Sequence, residues 1–159
     1  MNRMNEVARL LWLCLGLAAV GWGGAGCSGF TKAWKAAAPG GPAGPGLAGR
    51  WEGTWKSDAT GHQDSLRCLV SEGTNGLHQA RFQARYRKVF RWTVGYSLPL
   101  QAEQAGDATR FQGQANLGWL AGGTYRCVGT ATATNFHATY ESKYDRGTFD
   151  MVRPPPEPR

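Results

Sequence analysis

The sequence contains no isoleucine, so any core has to be built from Leu, Val and aromatic rings. Charge is sparse as well: 18% of the residues are Asp, Glu, Lys or Arg, too few for a highly charged disordered chain or a coiled coil. Its 159 residues leave room for one ordinary domain, not for a large multidomain enzyme. The signatures of common catalysis are missing too. There is no G-x-S-x-G, no H-E-x-x-H, no phosphate-binding loop and no paired-carboxylate arrangement. His62, His78 and His137 lie far apart, none in metal-ligand spacing. The sequence therefore predicts no metal, no cofactor and no enzyme. What it does have is glycine, 23 residues of it, and an excess of base: 18 Lys and Arg against 11 Asp and Glu give a net charge of +7 and a pI near 9.6.

The front of the chain reads as an address. Arg3 and Arg9 make a short positive start, and Leu10 to Trp22 is an uncharged apolar run. As a helix that run rises about 20 Å, short of a hydrocarbon core of roughly 30 Å. Small residues follow, Gly23 to Gly26, and then Cys27. This order predicts a secretory signal peptide over 1–26. The stretch Gly24-Ala25-Gly26-Cys27 resembles the lipobox of bacterial lipoproteins, with Gly24 where that family usually carries Leu. The resemblance implies that Cys27 becomes the lipidated N-terminus and anchors the chain in a membrane. Ser28 after it implies the outer membrane of the bacterial cell envelope, facing the periplasm. The alternative is an ordinary signal peptide cut near Gly26, with Cys27 an incidental thiol.

Residues 28–48 are dominated by Ala, Gly and Pro, with Lys32 and Lys35 the only charges. Counted with Cys27, 27–48 is expected to be a flexible tether with an r.m.s. reach of roughly 25 Å. Trp34, between the lysines, is either at the membrane interface or solvated. Pro154-Pro155-Pro156 stops any strand, because proline has no N–H for the ladder. That leaves a folded domain over 49–153 and a Pro-rich tail over 154–159.

Within the domain the pattern alternates with period two. Trp51, Gly53 and Trp55 share one face; so do Leu66, Cys68 and Val70; so do Ala80, Phe82, Ala84 and Tyr86. Phe90, Trp92, Val94, Tyr96 and Leu98 keep the phase, followed by Phe111, Gly113 and Ala115; Tyr125, Cys127, Gly129 and Ala131; Phe136, Ala138 and Tyr140; Phe149 and Met151. Turn residues separate most runs. Between Tyr86 and Phe90 there are none, and the expected hairpin opposes these two across a loop of 87–89; a bent continuous strand is the alternative. Eight short strands in chain order make a meander. Closure removes the two edges an open meander would expose. The expected fold is all-β, an eight-stranded antiparallel up-and-down β-barrel.

Gly49-Arg50-Trp51, echoed by Gly53-Thr54-Trp55, with Arg153 near the end, resembles the calycin superfamily of lipocalin and avidin-like barrels. The resemblance implies that a Trp plugs the closed end under a basic residue from the last strand. Trp51 with Arg153 is the best match, with Trp55 as the competing plug. It also implies binding of a small hydrophobic or amphipathic ligand.

Inward rings alternate with small residues, which means either interlocked packing or a cavity. The expected ligand-binding walls are Trp55, Phe82, Tyr86, Trp92, Tyr96, Phe111, Tyr125 and Tyr140. If the core is filled, the alternative is an envelope interaction module that binds a protein or polymer, for example as an enzyme inhibitor. Alternation forces no charge inside. Arg81, Arg85, Arg87, Lys88 and Arg91 form a surface basic patch, either a solvated barrel face, the commoner meaning of such a run, or a site for anionic lipid headgroups or acidic envelope polymers. No base-stacking pattern accompanies it, so nucleic acid is not an expected partner. Cys68 and Cys127, on strands two and six, are expected as inward thiols, with a disulfide across a flattened barrel as the other possibility.

Overall fold

A computed structural model describes residues 25–37, 46–87, 91–118 and 123–155, with 25–28, 91 and 92 described by backbone alone. The segment up to residue 24, which holds most of the expected signal peptide, and Pro156 to Arg159 lie outside the described residues. A helix α1 (Ala25–Ala36) precedes eight strands: β1 (Gly49–Ser57), β2 (Gln63–Ser71), β3 (Leu77–Arg87), β4 (Arg91–Ala105), β5 (Ala108–Asn116), β6 (Thr124–Ala131), β7 (Asn135–Glu141) and β8 (Arg146–Val152). They form a closed antiparallel barrel in chain order. β1 seals against β8 from Glu52↔Val152 to Ser57↔Gly147. No helix among the described residues is long and apolar enough to cross a membrane.

Alternation decides which side chains enter. On β7, Phe136, Ala138 and Tyr140 are buried while their neighbours are exposed. The same phase puts Trp51, Leu66, Cys68, Val70, Ala80, Phe82, Leu98, Leu100, Phe111, Cys127, Phe149 and Met151 into one core. Cys68 and Cys127 are both buried free thiols. Burial pushes both up, Cys127 to about 12, so they stay protonated and act as small apolar fillers.

Two expectations are corrected here. The β3–β4 ladder continues through Tyr86↔Trp92 and Arg87↔Arg91, so the connection is 88–90 and Tyr86 does not oppose Phe90. Phe90 and Trp92 have the same inward parity; alternation assigns a face, and either residue satisfies it.

The second correction concerns the tether. Residues 25–36 are helical, and Phe30 and Trp34 are buried on Leu69 of β2's outer face, with Ala33 and Ala37 packed beside them. Phe30, Ala33, Trp34 and Ala37 are spaced i, i+3, i+4, i+7, one helical stripe. Arginines from the wall complete the dock. Arg50 and Arg67 lie over the Trp34 ring at 5.2 and 5.1 Å, and Arg81 lies over Phe30 at 5.9 Å. Arg50 also donates to the Lys35 carbonyl at 3.1 Å, satisfying an orphan acceptor of the helix's last turn. Trp34 is thus neither solvated nor free for a membrane interface. Leu47, also within the supposed tether, is 1% exposed in the core.

Candidate functional site: a closed floor, a ringed mouth and a side gap

The two ends of the barrel are built differently. At the N-terminal end of β1, Trp51 is fully buried and its indole N–H donates to the Leu47 carbonyl at 2.9 Å. The Arg153 guanidinium lies 3.6 Å from the centre of the Trp51 ring. It donates to the carbonyls of Gly46 and Ala48, both at 2.7 Å, tying the incoming chain across this end. Gly49 is needed here: its φ is +110°, and a Cβ would stand 2.6 Å from the Arg153 guanidinium. Trp55, the competing plug, sits towards the opposite end.

The rings expected to wall a single pocket fall into three groups. Phe111 meets Phe136 in a tilted contact (4.7 Å), and Phe136 meets Trp51 (5.5 Å), so Phe111 belongs to the closed end. A second group crosses the middle: Tyr125 on Tyr140, Tyr140 on Phe149, Phe149 against Phe82, and Phe82 on Tyr96. The third is at the rim, where Trp55 meets Tyr86 at 4.6 Å and His62 stacks parallel to Tyr86. The side chain of Trp92 lies outside the described residues, although its backbone opposes Tyr86.

Small residues in the lower barrel are filled against, not left open. A Cβ on Gly129 would meet the Phe111 ring at 2.6 Å and the Ala138 methyl at 2.8 Å. One on Gly113 would meet Leu100 at 2.8 Å. Large and small side chains interlock there to interior density.

The mouth is open. Tyr86 and Val94 have the inward phase yet are 39% and 45% exposed, and Tyr96, Ala115 and Tyr125 are only partly buried. One ladder stops short of it. β4 pairs with β3 from Arg87↔Arg91 to Leu77↔Gln101 but with β5 only from Leu100↔Gly113 to Ala105↔Ala108. Among the described residues, no pairing joins 91–99 of β4 to β5. Pro99 is the reason. Its carbonyl approaches Gly113 so closely that a Cβ there would collide with it, so position 99 faces β5 with no N–H to offer. The ladder ends there, leaving 97–99 of β4 unpaired with 114–116 of β5 among the described residues.

Alternation did not anticipate an inward charge, but there is one. Asp64 opposes Trp55 on β1 and its side chain is 4% exposed. Burial raises its pKa, but the Ser65 amide and the Arg87 guanidinium outweigh it and hold the carboxyl below its ordinary value. Arg87 donates to Asp64 through Nε and Nη2, both at 3.2 Å. Asp145 is a second carboxylate at the rim, accepting from Tyr140 at 2.9 Å and Ser57 at 2.7 Å. Burial pushes the phenols of Tyr86, Tyr96 and Tyr140 up, that of Tyr86 to about 12 even though 39% of the residue is exposed. The mouth is therefore an aromatic cup whose phenols remain protonated hydrogen-bond donors. Sequence reasoning missed His62, Asp64, Asp145 and Phe149. Asp64 was within reach, since it has the parity of Leu66, Cys68 and Val70.

The basic patch is not one continuous strip. Arg85 is exposed as expected, Arg81 is half-buried beneath Phe30, and Arg87 turns to Asp64. Lys88 and the Arg91 side chain lie outside the described residues. So does the side chain of Cys27, whose backbone is in the first turn of α1. A separate groove of about 520 Å³ runs over the outer wall between Glu103, Arg110, Thr130 and His137, away from the ringed mouth. Among the described residues no cluster of His, Cys, Asp and Glu is placed to hold a metal ion. No family model matches the chain, and no curated protein or solved structure is significantly similar to it.

Proposed function

We propose that this chain is an exported, lipid-anchored, calycin-like barrel that binds a small hydrophobic or amphipathic molecule without transforming it. The observation that carries the reading is the pair of inward-phase apolar residues left exposed, Val94 and Tyr86, above the partly buried Tyr96 and Tyr125. Rings and protonated phenols together suit a ligand with an apolar body and a hydrogen-bond acceptor. Because the lower barrel is packed solid, the ligand sits high, in the cup, and not at Phe111. The calycin likeness is supported by the strand order and by Arg153 over Trp51. Export and anchoring rest on the leader and on Cys27, with the periplasmic face of an outer membrane as the place.

Native mass spectrometry of the protein from its own host tests this directly: a retained small molecule is expected. Titration with a fatty acid and a lysophospholipid is expected to change tryptophan emission in the unaltered chain and not in Val94→Asp. A folded barrel that retains nothing and binds neither probe would overturn the reading. The packed lower core then favours the alternative, an envelope module that binds a protein or polymer through its outer surface.

A further inference from the structure

The helix found over the first part of the expected tether has a direction. Its last turn is held at β1, where Arg50 donates to the Lys35 carbonyl. Trp34 is gripped from β1 and β2, while Phe30 is already over Arg81 of β3. Gly29 lies 3.8 Å from the Arg81 guanidinium, measured from where its Cβ would be. α1 also touches β4. Arg50, Leu69, Arg81 and Ser97 are at matched register positions on β1 to β4. The helix therefore crosses the strands, and its N-terminal end leaves the barrel from the side, at the β3–β4 wall. Cys27 precedes the buried Phe30 by only three positions, too few for a flexible spacer.

Charge runs the same way. α1 contains Lys32 and Lys35 and no acid, and β3 carries Arg81, Arg85 and Arg87 and no acid. β4 adds one acid, Glu103, near its far end; the opposite wall, β7 and β8, carries Glu141 and Asp150 with a single Arg146 on its outer face.

We infer that α1 mounts the barrel side-on, with the β3–β4 wall turned towards an anionic lipid bilayer. The inference rests on the lipid-anchor reading of Cys27 and adds to it a fixed orientation. A long tether would leave the barrel free to tumble; a docked helix does not.

The test uses the full chain, lipidated in its host and reconstituted in vesicles of phosphatidylethanolamine and phosphatidylglycerol whose headgroups carry a nitroxide quencher. A fluorophore is attached in turn at Arg85→Cys, Ser97→Cys, Thr139→Cys and Val152→Cys; the buried Cys68 and Cys127 do not compete. Labels at 85 and 97 are expected to be quenched and those at 139 and 152 to be spared. Inserting about ten Gly and Ser residues between Ser28 and Gly29 adds a reach of roughly 17 Å. That insertion interrupts α1 after its first turn, ahead of the docked Phe30–Ala37 stripe and outside the barrel, and is expected to abolish the difference between walls, while the protein stays in the membrane fraction. Equal quenching of both walls in the unaltered chain would overturn the mounting, as would a difference that survives the insertion. If Cys27→Ser partitions like the unaltered chain, the anchor reading itself fails, and that result is separate from either quenching pattern.

Discussion

At the residue scale, the buried carboxylate of Asp64 is the most exposed to perturbation, because its charge partner is solvent-accessible: the Arg87 side chain is 58% exposed. A carboxyl whose pKa is lower in the folded than in the unfolded state adds stability above its unfolded value, about 3.9, and that stability is lost as the pH falls through the folded value. Arg87→Gln is expected to move the Asp64 pKa upward and to bring acid unfolding to higher pH. The Asp64 carboxyl resonance against pH and circular dichroism through the acid transition measure the two effects. At neutral pH the same change is expected to cost about 1–3 kcal/mol, the usual penalty for leaving a buried polar group short of a partner. Gly129 makes a second residue-scale case. A methyl there meets the His137 carbonyl, Phe111 and Ala138 together, and two of these are rigid. Gly129→Ala is expected to destabilise by about 1–3 kcal/mol, read as a lower denaturant midpoint. A midpoint that did not move would mean that the lower barrel has slack enough to take a methyl group, and is not packed solid.

At the element scale, α1 and β4 depart most from a plain meander. α1 has twelve residues, too short to hold itself as a helix in water. It persists because Phe30 and Trp34 cover Leu69 and because three arginines stack on their rings. Trp34→Ala is expected to release the helix and leave the barrel standing. Hydrogen exchange should then show lost protection over residues 30–37 and retained protection in the strands. Loss of protection in β2 and β8 as well would make α1 part of the barrel's own stability and not an outer mount. β4 shows how one residue shapes an element. Pro99 fits a strand whose outer neighbour is missing, and by denying β5 a donor it creates that missing neighbour. Its consequence is that 97–99 of β4 and 114–116 of β5 stay unpaired with each other among the described residues.

At the scale of the whole molecule, closure joins the first strand to the last. Gly53↔Met151 and its neighbours bring together residues almost a hundred positions apart. Contacts that distant cost loop-closure entropy before they stabilise anything, and folds dominated by them are slow. Folding is expected in the millisecond to second range, followed in stopped flow by burial of Trp51 and Trp55; a microsecond phase carrying the full amplitude would contradict closure as the late event. The same closure divides the interior by height. At the Trp51 end the strands meet over a crossing segment held by Arg153, and rings pack without space. At the Tyr86 end nothing described crosses, and aromatic side chains stay partly wet.

Much of this was legible in the residue order. Period-two runs from Trp51 to Met151 dictated eight strands, an all-β meander and the inward set, because successive side chains on a strand must point to opposite faces. Arg153 over Trp51 was implied by the resemblance to calycin barrels, carried by the G-x-W opening and a basic residue at the end. Asp64 and the Phe30–Ala37 stripe were legible too, but were masked by reading β2 from Leu66 and by the Ala, Gly and Pro content around α1. What residue order left open was register and depth. It could not choose between Phe90 and Trp92 as the partner of Tyr86, since both satisfy the same parity. Nor could it say which inward ring lies over a packed floor and which at an open rim, because height along a barrel is set by strand tilt and by where each ladder stops. The alternation of side chains determined the wall; only the pairing of distant strands, and a proline that interrupts it, decided where its ladders stop.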